Sequence, residues 1–232
     1  MTTPDPAHRF TLAGAALRAL PSGALHWPAA GLLAVSDLHL GRAERMARRG
    51  GPLLPPYETA DTLLRLEAEI EATGPTRVVC VGDSFDDTAA AGALDEAHLL
   101  RLARLIAGRD WVWISGNHDP GPLALAGSHL AELSVPPLVF RHSAVPQAQA
   151  EVSGHYHPRA RLRLGGARVA RRCFLIDAAR VILPAFGTYT GGLATEAEAL
   201  DTLMQPGALA VLTGPRAQPL PMPRRKQRGT TG

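Results

Sequence analysis

Three short apolar runs in the first half of the chain each end abruptly at a residue able to bind a cation. Gly31-Leu-Leu-Ala-Val-Ser36 stops at Asp37, Arg77-Val-Val-Cys-Val-Gly82 stops at Asp83, and Trp111-Val-Trp-Ile-Ser-Gly116 stops at Asn117. Runs this short, apolar at nearly every position, read as strands covered on both faces, as in a parallel sheet. Helical patterns lie between them. Tyr57 to Ala72 places Leu63, Leu66 and Ile70 on one face and is closed by Gly74-Pro75. Asp95 is placed to cap a helix through Ala107, with Leu99, Leu102 and Ile106 in register, and a shorter helix is expected over Arg42–Arg49. Strands alternating with helices make a parallel sheet, and such sheets hold ligands in the crevice at their carboxyl ends.

The second half has a different character. Glu151–Gly154, Arg161–Leu164, Val169–Ile176 and Val181–Leu183 read as short strands, with Gly165-Gly166 as a hairpin turn. They predict a second, mostly antiparallel sheet packed on the first. Residues 11–30 predict a hairpin turning at Pro21-Ser-Gly23. The 232 residues suit one α/β domain, placed here at residues 1–216. Residues 217–232, rich in Pro, Arg, Gly and Thr without an apolar period, predict a basic, disordered tail.

Charge matters once it is located. The formal net charge is +3, and Arg224, Arg225, Lys226 and Arg228 supply four positive charges at the end, so the rest of the chain is close to neutral. Lys226 is the only lysine; every other basic side chain is an arginine, whose planar fork binds phosphate in bidentate fashion. Cys80 and Cys173 have no CxxC or Cys/His spacing and read as buried thiols of a reducing compartment. Pro4 and Pro6 interrupt a start that has no basic-then-apolar leader, and no apolar stretch is long enough to span a membrane. A soluble, cytoplasmic protein is expected.

The polar residues at the strand ends form a series. Asp37-Leu-His39 has the i, i+2 spacing that brings two side chains to one face of a strand, and Gly154-His155-Tyr-His157 repeats it. Gly82-Asp83 and Gly116-Asn117-His118-Asp119 follow the second and third runs, and His142 follows the apolar run Val135–Phe140. Each group alone is weak: a DxH is common, a Gly-Asp after a strand is often a turn, and a lone His is usually structural. Five such groups in order, each at a predicted strand end, point to a metal centre.

This order, D-x-H … G-D … G-N-H-D … H … G-H-x-H, resembles the signature of the calcineurin-like metallophosphoesterases over residues 35–158. The resemblance implies a sandwich of two mixed β-sheets flanked by helices, an α/β fold with a four-layer, α+β-like arrangement. It implies one metal on Asp37, His39, Asp83 and His157 and a second on Asp83, Asn117, His142 and His155, with Asp83 shared. Two such ions would clamp a phosphate and lower the pKa of a bridging water, giving a hydroxide for in-line attack. His118 resembles the family's catalytic histidine, which protonates the leaving oxygen or steadies its charge. Asp86 matches the last Asp of a Gly-Asp-x-x-Asp pattern and would orient a neighbouring ligand, although Asp87 stands beside it and the sequence leaves the choice open. Mixed N and O ligation suits Mn²⁺, Fe or Zn²⁺ better than Mg²⁺ or Ca²⁺.

Three further stretches bear on the substrate. Arg42, Arg45 and Arg49 share a helix face just after two ligands, either to meet backbone phosphates or as a solvated face paired with Glu44. Leu183-Pro-Ala-Phe-Gly187-Thr-Tyr-Thr-Gly-Gly-Leu193 offers Phe186 or Tyr189 as a stacking surface. Arg159, Arg161 and Arg163 follow His157 closely. With Pro21-Ser-Gly23 and Leu53-Leu-Pro-Pro-Tyr57, these stretches are similar to the ligase-associated DNA-damage-response endonuclease group. That resemblance implies a Mn-dependent phosphodiesterase or single-strand DNA endonuclease acting with helicase, ligase and exonuclease partners. The alternatives are a phosphatase or phosphodiesterase for a small nucleotide-like substrate, and a non-catalytic scaffold, which would be expected to have lost ligands.

Overall fold

The structure is a computed structural model that describes residues 5–120 and 125–225. The first sheet has seven strands in chain order: β1 (His8–Leu12), β2 (Ala15–Ala19), β3 (Leu25–Trp27), β4 (Leu32–Val35), β5 (Arg77–Val81), β6 (Asp110–Ile114) and β7 (Ser128–Leu130). The first four pair antiparallel, and β4 through β7 pair parallel. The expected hairpin around Pro21–Gly23 is the β2–β3 connection, and a further strand, β1, precedes it.

The eight-stranded second sheet contains β8 (Glu132–Val135), β9 (Leu138–Arg141), β10 (Glu151–Ser153), β11 (Arg159–Leu164), β12 (Ala167–Ile176), β13 (Arg180–Ile182), β14 (Leu209–Leu212) and β15 (Gln218–Pro221). Its order is β15-β14-β12-β13-β10-β9-β8, with β11 pairing only to β12. β10 is parallel to both β9 and β13, and the other pairs are antiparallel. The sheet is therefore mixed. The run Val135–Phe140 is two strands, because Pro136 and Pro137 lack the N–H a ladder needs and force the turn between β8 and β9.

Among the described residues five α-helices flank the sheets: α1 (Arg42–Arg48), α2 (Glu58–Thr73), α3 (Thr88–Gly92), α4 (Glu96–Ile106) and α5 (Glu198–Leu203). Asp95 caps α4 through the His98 amide as expected. Leu99 is nonetheless exposed, and the buried stripe is Leu102, Leu105 and Ile106, so the first turn of α4 stays at the surface.

The apolar runs are continuous because alternate residues enter different cores. Leu32, Ala34, Val79, Val81, Val112 and Ile114 meet Phe140, Val152, Phe174 and Val181 of the second sheet. Leu33, Val35, Val78, Cys80, Trp111 and Trp113 pack under α2 and α4 against Leu66, Ile70 and Leu102. A third cluster lies under α5 and joins Cys173, Leu175 and Ile182 to Leu200 and Met204. The result is helix, sheet, sheet and helix in four layers, as the resemblance implied.

One boundary changes. Residues 217–225 were expected in a disordered tail, yet β15 pairs with β14 and Met222 is buried. Arg224 donates to the carbonyls of Asp201, Met204 and Gln205, and Arg225 pairs with Glu198. Pro219 and Pro221 are tolerated because β15 is an edge strand, where alternate residues need no ladder donor. The rest of the expected tail, from Lys226 onward, lies outside the described residues. Among the described residues no helix is long and apolar enough to cross a membrane.

Candidate metal centre

All five ligand groups meet where the two sheets come together at their strand ends. Asp37 and His39 follow β4, Asp83 follows β5 and Asn117 follows β6; His142 follows β9, and His155 and His157 follow β10. Backbone bonds tie these ends together: the Asp37 and His39 amides donate to the Gly82 and Asp83 carbonyls, and Gly154 donates to His142. An isolated bridge, Ser36 to Ala185, links the sheets at this level.

Among the described residues three overlapping groups of donors result, one of which joins His118 to His39 and Asp83; the other two contain only expected ligands. One ligand atom each from Asp37, His39 and His157 lie within 4.8 Å of one another, as do one each from Asp83, His142 and His155. In the first, His157 Nε2 lies 3.1 Å from Asp37 Oδ1 and 3.4 Å from His39 Nε2. In the second, Asn117 Oδ1 lies 2.9 Å from His142 Nε2 and 3.0 Å from His155 Nδ1, and those two nitrogens are 3.1 Å apart. Asp83 stands between, its Oδ2 3.4 Å from His142 Nε2 and a carboxylate oxygen within 4.8 Å of a His39 nitrogen. Ligands bonded at about 2.1 Å to one ion in tetrahedral or octahedral geometry are spaced by about 3.0–3.4 Å. The observed spacings match, and the N/O donor set fits divalent transition cations, so these residues can hold such ions.

The backbone is bent to make this possible. Asp37, His39, Asp83, His155 and His157 all have φ between 47° and 71°, five of the seven expected ligands. Left-handed conformations outside glycine cost about 1–3 kcal/mol each and persist where surrounding structure enforces them. Asp and His tolerate this region better than most residues. Close approach also explains two glycines. A Cβ on Gly82 would fall 2.2 Å from His142 Nδ1, and one on Gly116 would fall 2.1 Å from Asp83 Oδ1. Any larger residue would displace a ligand.

A second set of contacts orients the donors. The Ser36 hydroxyl and the His155 amide both donate to Asp37 Oδ2, at 2.5 and 3.0 Å, leaving Oδ1 toward His157. His142 Nδ1 faces the Val81 carbonyl at 3.3 Å, which directs Nε2 inward. His39 Nδ1 lies 2.9 Å from Asp86 Oδ1, and Asp86 is fully buried. Asp87 instead caps α3 and pairs with Arg48, so the choice the sequence left open falls on Asp86. Asp119 accepts from the amides of Ser84, Phe85 and Gly116, pinning the loops that carry Asp83 and Asn117 to each other.

Charges follow this geometry. Burial alone would raise the Asp83 carboxyl, but the hydrogen bond and charge of His142 bring it down to about 2. Burial likewise works against Asp86, and His39, Arg45 and Arg42 hold it below the usual carboxylate range. His142 is raised: burial opposes the shift, and Asp83 and Asp37 outweigh it. His155 is lowered, first by burial and then by His142.

His118 sits beside the donors. Its amide donates to Asp83 Oδ1 at 2.9 Å, its Nδ1 lies 2.8 Å from the Asp86 carbonyl, and its ring meets that of His39 edge-on. The α1 arginines are placed differently from the expectation. Arg42 and Arg45 bind Asp86 at 2.9 and 2.6 Å, so their guanidinium groups are engaged behind His39, while Arg49 is mostly exposed and 3.8 Å from Asp87. Glu44 pairs with Arg48. In the 183–193 loop Phe186 is fully buried with Arg65 over its ring and cannot stack on a ligand. Tyr189 is exposed, its hydroxyl 2.5 Å from that of Tyr57.

The family model for the calcineurin-like phosphoesterases matches residues 31–168, more than half of the chain. The chain belongs to that family. As a calcineurin-like phosphoesterase it is a hydrolytic enzyme that cleaves phosphoesters with divalent metals. Its fold is similar to that of the Pseudomonas putida nuclease MPE, with a TM-score of 0.71 and 29% sequence identity over 92% of this chain and 100% of that one. No curated protein matches this calcineurin-like phosphoesterase.

Sequence reasoning placed the donors but gave no role to Ser36 or Asp119. Ser36 carries no motif signal. Asp119 closes the Gly116-Asn-His-Asp119 group, which was the available sign that it mattered.

Proposed function

We propose that this enzyme is a phosphodiesterase that cuts single-stranded DNA internally, in the setting of DNA repair. Asp37, His39, Asp83 and His157 would hold one divalent cation, most simply Mn²⁺, and Asp83, Asn117, His142 and His155 a second. When bound, these ions supply Lewis-acid polarisation of the phosphoryl oxygens and lower the pKa of water at neutral pH. The observation that carries the reading is the close spacing of seven N/O donors, six of them around Asp83, with His118 beside them. The likeness to a solved nuclease supports a nucleic-acid substrate. The repair setting, with helicase, ligase and exonuclease partners, rests on resemblance to the ligase-associated endonuclease group.

The protein groups have distinct tasks. The Asp86 carbonyl can accept only if His118 Nδ1 carries a proton, which fixes the ring. The imidazolium form, protonated at both nitrogens, would hand its Nε2 proton to the leaving oxygen and return to the neutral Nδ1–H ring. Asp86 is a positioning residue: it fixes the His39 tautomer and makes Nε2 the donor. Arg42 and Arg45 hold Asp86 ionised. Arg49 and Tyr189 remain as exposed groups for a phosphate and a base.

The test offers circular single-stranded DNA and a chromogenic phosphodiester to the enzyme with Mn²⁺, Fe²⁺, Zn²⁺ or Mg²⁺. Nicking of the circle is expected with Mn²⁺. Turnover of the small ester alone would replace this reading with that of a small-molecule phosphodiesterase.

A further inference from the structure

The β11–β12 hairpin leaves the metal centre directly after His157 and carries arginines on one face. In its register Arg163 stands opposite Arg168, Arg161 opposite Ala170, and Arg159 opposite Arg172. Directly opposed residues share a face, and alternate residues along a strand share it too. Arg159, Arg161, Arg163, Arg168 and Arg172 therefore form one surface. The other face carries Ala160, Leu162 and Cys173, which pack into the cluster under α5, and one arginine, the exposed Arg171 opposite Ala160.

This arrangement is costly unless something neutralises it. Like charges directly opposed across strands destabilise a sheet, and here two of the opposed pairs are Arg–Arg. Among the described residues none of these five arginines has an acidic partner within 4.0 Å, in contrast to Arg42, Arg45 and Arg48 on α1. The one acidic residue along the adjoining groove, of about 410 Å³, is Glu196, which is hydrogen-bonded to Thr195. Arg161, Arg163 and Arg168 are exposed, whereas Arg159 and Arg172 are half-buried at the base. Arg172 donates to the Gly187 carbonyl, and the Gly187 amide donates to the Asp37 carbonyl, so the base of the ribbon abuts the first metal-ligand group.

The geometry points to this arginine face as the track for the phosphate backbone of a single-stranded nucleic acid flanking the scissile bond. Arginines two residues apart on a strand recur about every 6.8 Å, a step suited to successive phosphates of an extended strand. The inference rests on the nuclease reading above and assigns its main substrate grip to β11–β12, beyond the exposed Arg49 at the end of α1.

The test compares wild type with the triple variants Arg161→Gln/Arg163→Gln/Arg168→Gln and Arg161→Lys/Arg163→Lys/Arg168→Lys. Binding is read by fluorescence anisotropy with a labelled phosphorothioate oligothymidylate, which resists cleavage, across a salt series. Hydrolysis of a chromogenic phosphodiester reports the metal centre alone. Loss of three phosphate contacts should weaken binding by about tenfold or more and flatten the log K against log salt slope by about 2 in the Gln variant. The Lys variant should recover most of the affinity, and small-ester turnover and melting temperature should not fall in either. Wild-type affinity in the Gln variant, or an equal loss on DNA and small ester, overturns the ribbon assignment and leaves the nuclease reading intact. Failure of the wild type to bind or cut single-stranded DNA, with the small ester still hydrolysed, removes the nuclease reading and this inference together.

Discussion

Asp86 Oδ1 lies 2.9 Å from His39 Nδ1, while the opposite nitrogen of that ring faces His157 at 3.4 Å. One buried carboxylate thus sets which His39 nitrogen carries a proton and which offers a lone pair. Arg42 and Arg45 hold the same carboxylate from behind.

Asp86→Asn should therefore weaken Mn²⁺ binding by about 10–100-fold, because the amide keeps the shape but loses the charge that orients His39. Isothermal titration with Mn²⁺ checks this; unchanged affinity would remove the positioning role. Arg42→Ala and Arg45→Ala should lower turnover of DNA and of a small ester by similar factors. A loss confined to DNA would restore the direct phosphate contact expected from the sequence.

His118→Ala should reduce diester turnover by about 10²–10⁴-fold while leaving Mn²⁺ affinity near wild type. The amide bond to Asp83 Oδ1 is made by backbone and survives the change. Unaltered turnover would show that another group protonates the leaving oxygen.

Arg180→Ala should destabilise the fold by about 3–5 kcal/mol in chemical denaturation, since it leaves a buried charge uncompensated. Arg180 is 2% exposed, 3.1 Å from Glu151, and donates to the carbonyls of Val145, Pro146 and Ala148. A change below about 1 kcal/mol would place the pair among weak surface bridges.

Cys80 and Cys173 should be inert to thiol reagents in the native state at pH 8 and react as two equivalents in denaturant. Both are fully buried, and burial pushes the Cys173 thiol up to about 12 and Cys80 higher still. The folded pKa values are raised, so this contribution to stability is whole below pH 9 and is lost as pH rises toward about 12. Native-state labelling at pH 8 would contradict the burial, and equilibrium unfolding across pH 9–12 reads the slope.

Local pattern carried much of the site. The strands at Leu32, Arg77 and Asp110 were legible because both of their faces are covered and their apolar runs stop at the ligands. The DxH and HxH groups were legible by residue type and spacing, but they lie past the ends of β4 and β10 with positive φ, so bent loops and not strand period two bring their side chains together. Composition misled at residues 217–225, where proline content concealed an edge strand whose only requirement is an accepting neighbour in β14.

By itself the sequence determined the donors, their order and their place at strand ends, since these follow from residue type and period along one segment. Only the tertiary structure decided what each charge faces. Asp86 rather than Asp87 reaches His39, Asp119 pins two loops, Phe186 is buried, and the α1 arginines turn to a carboxylate while those of β11–β12 have none within 4.0 Å among the described residues. Such pairings depend on sheet register and on contacts between segments more than 30 residues apart. No local period records them.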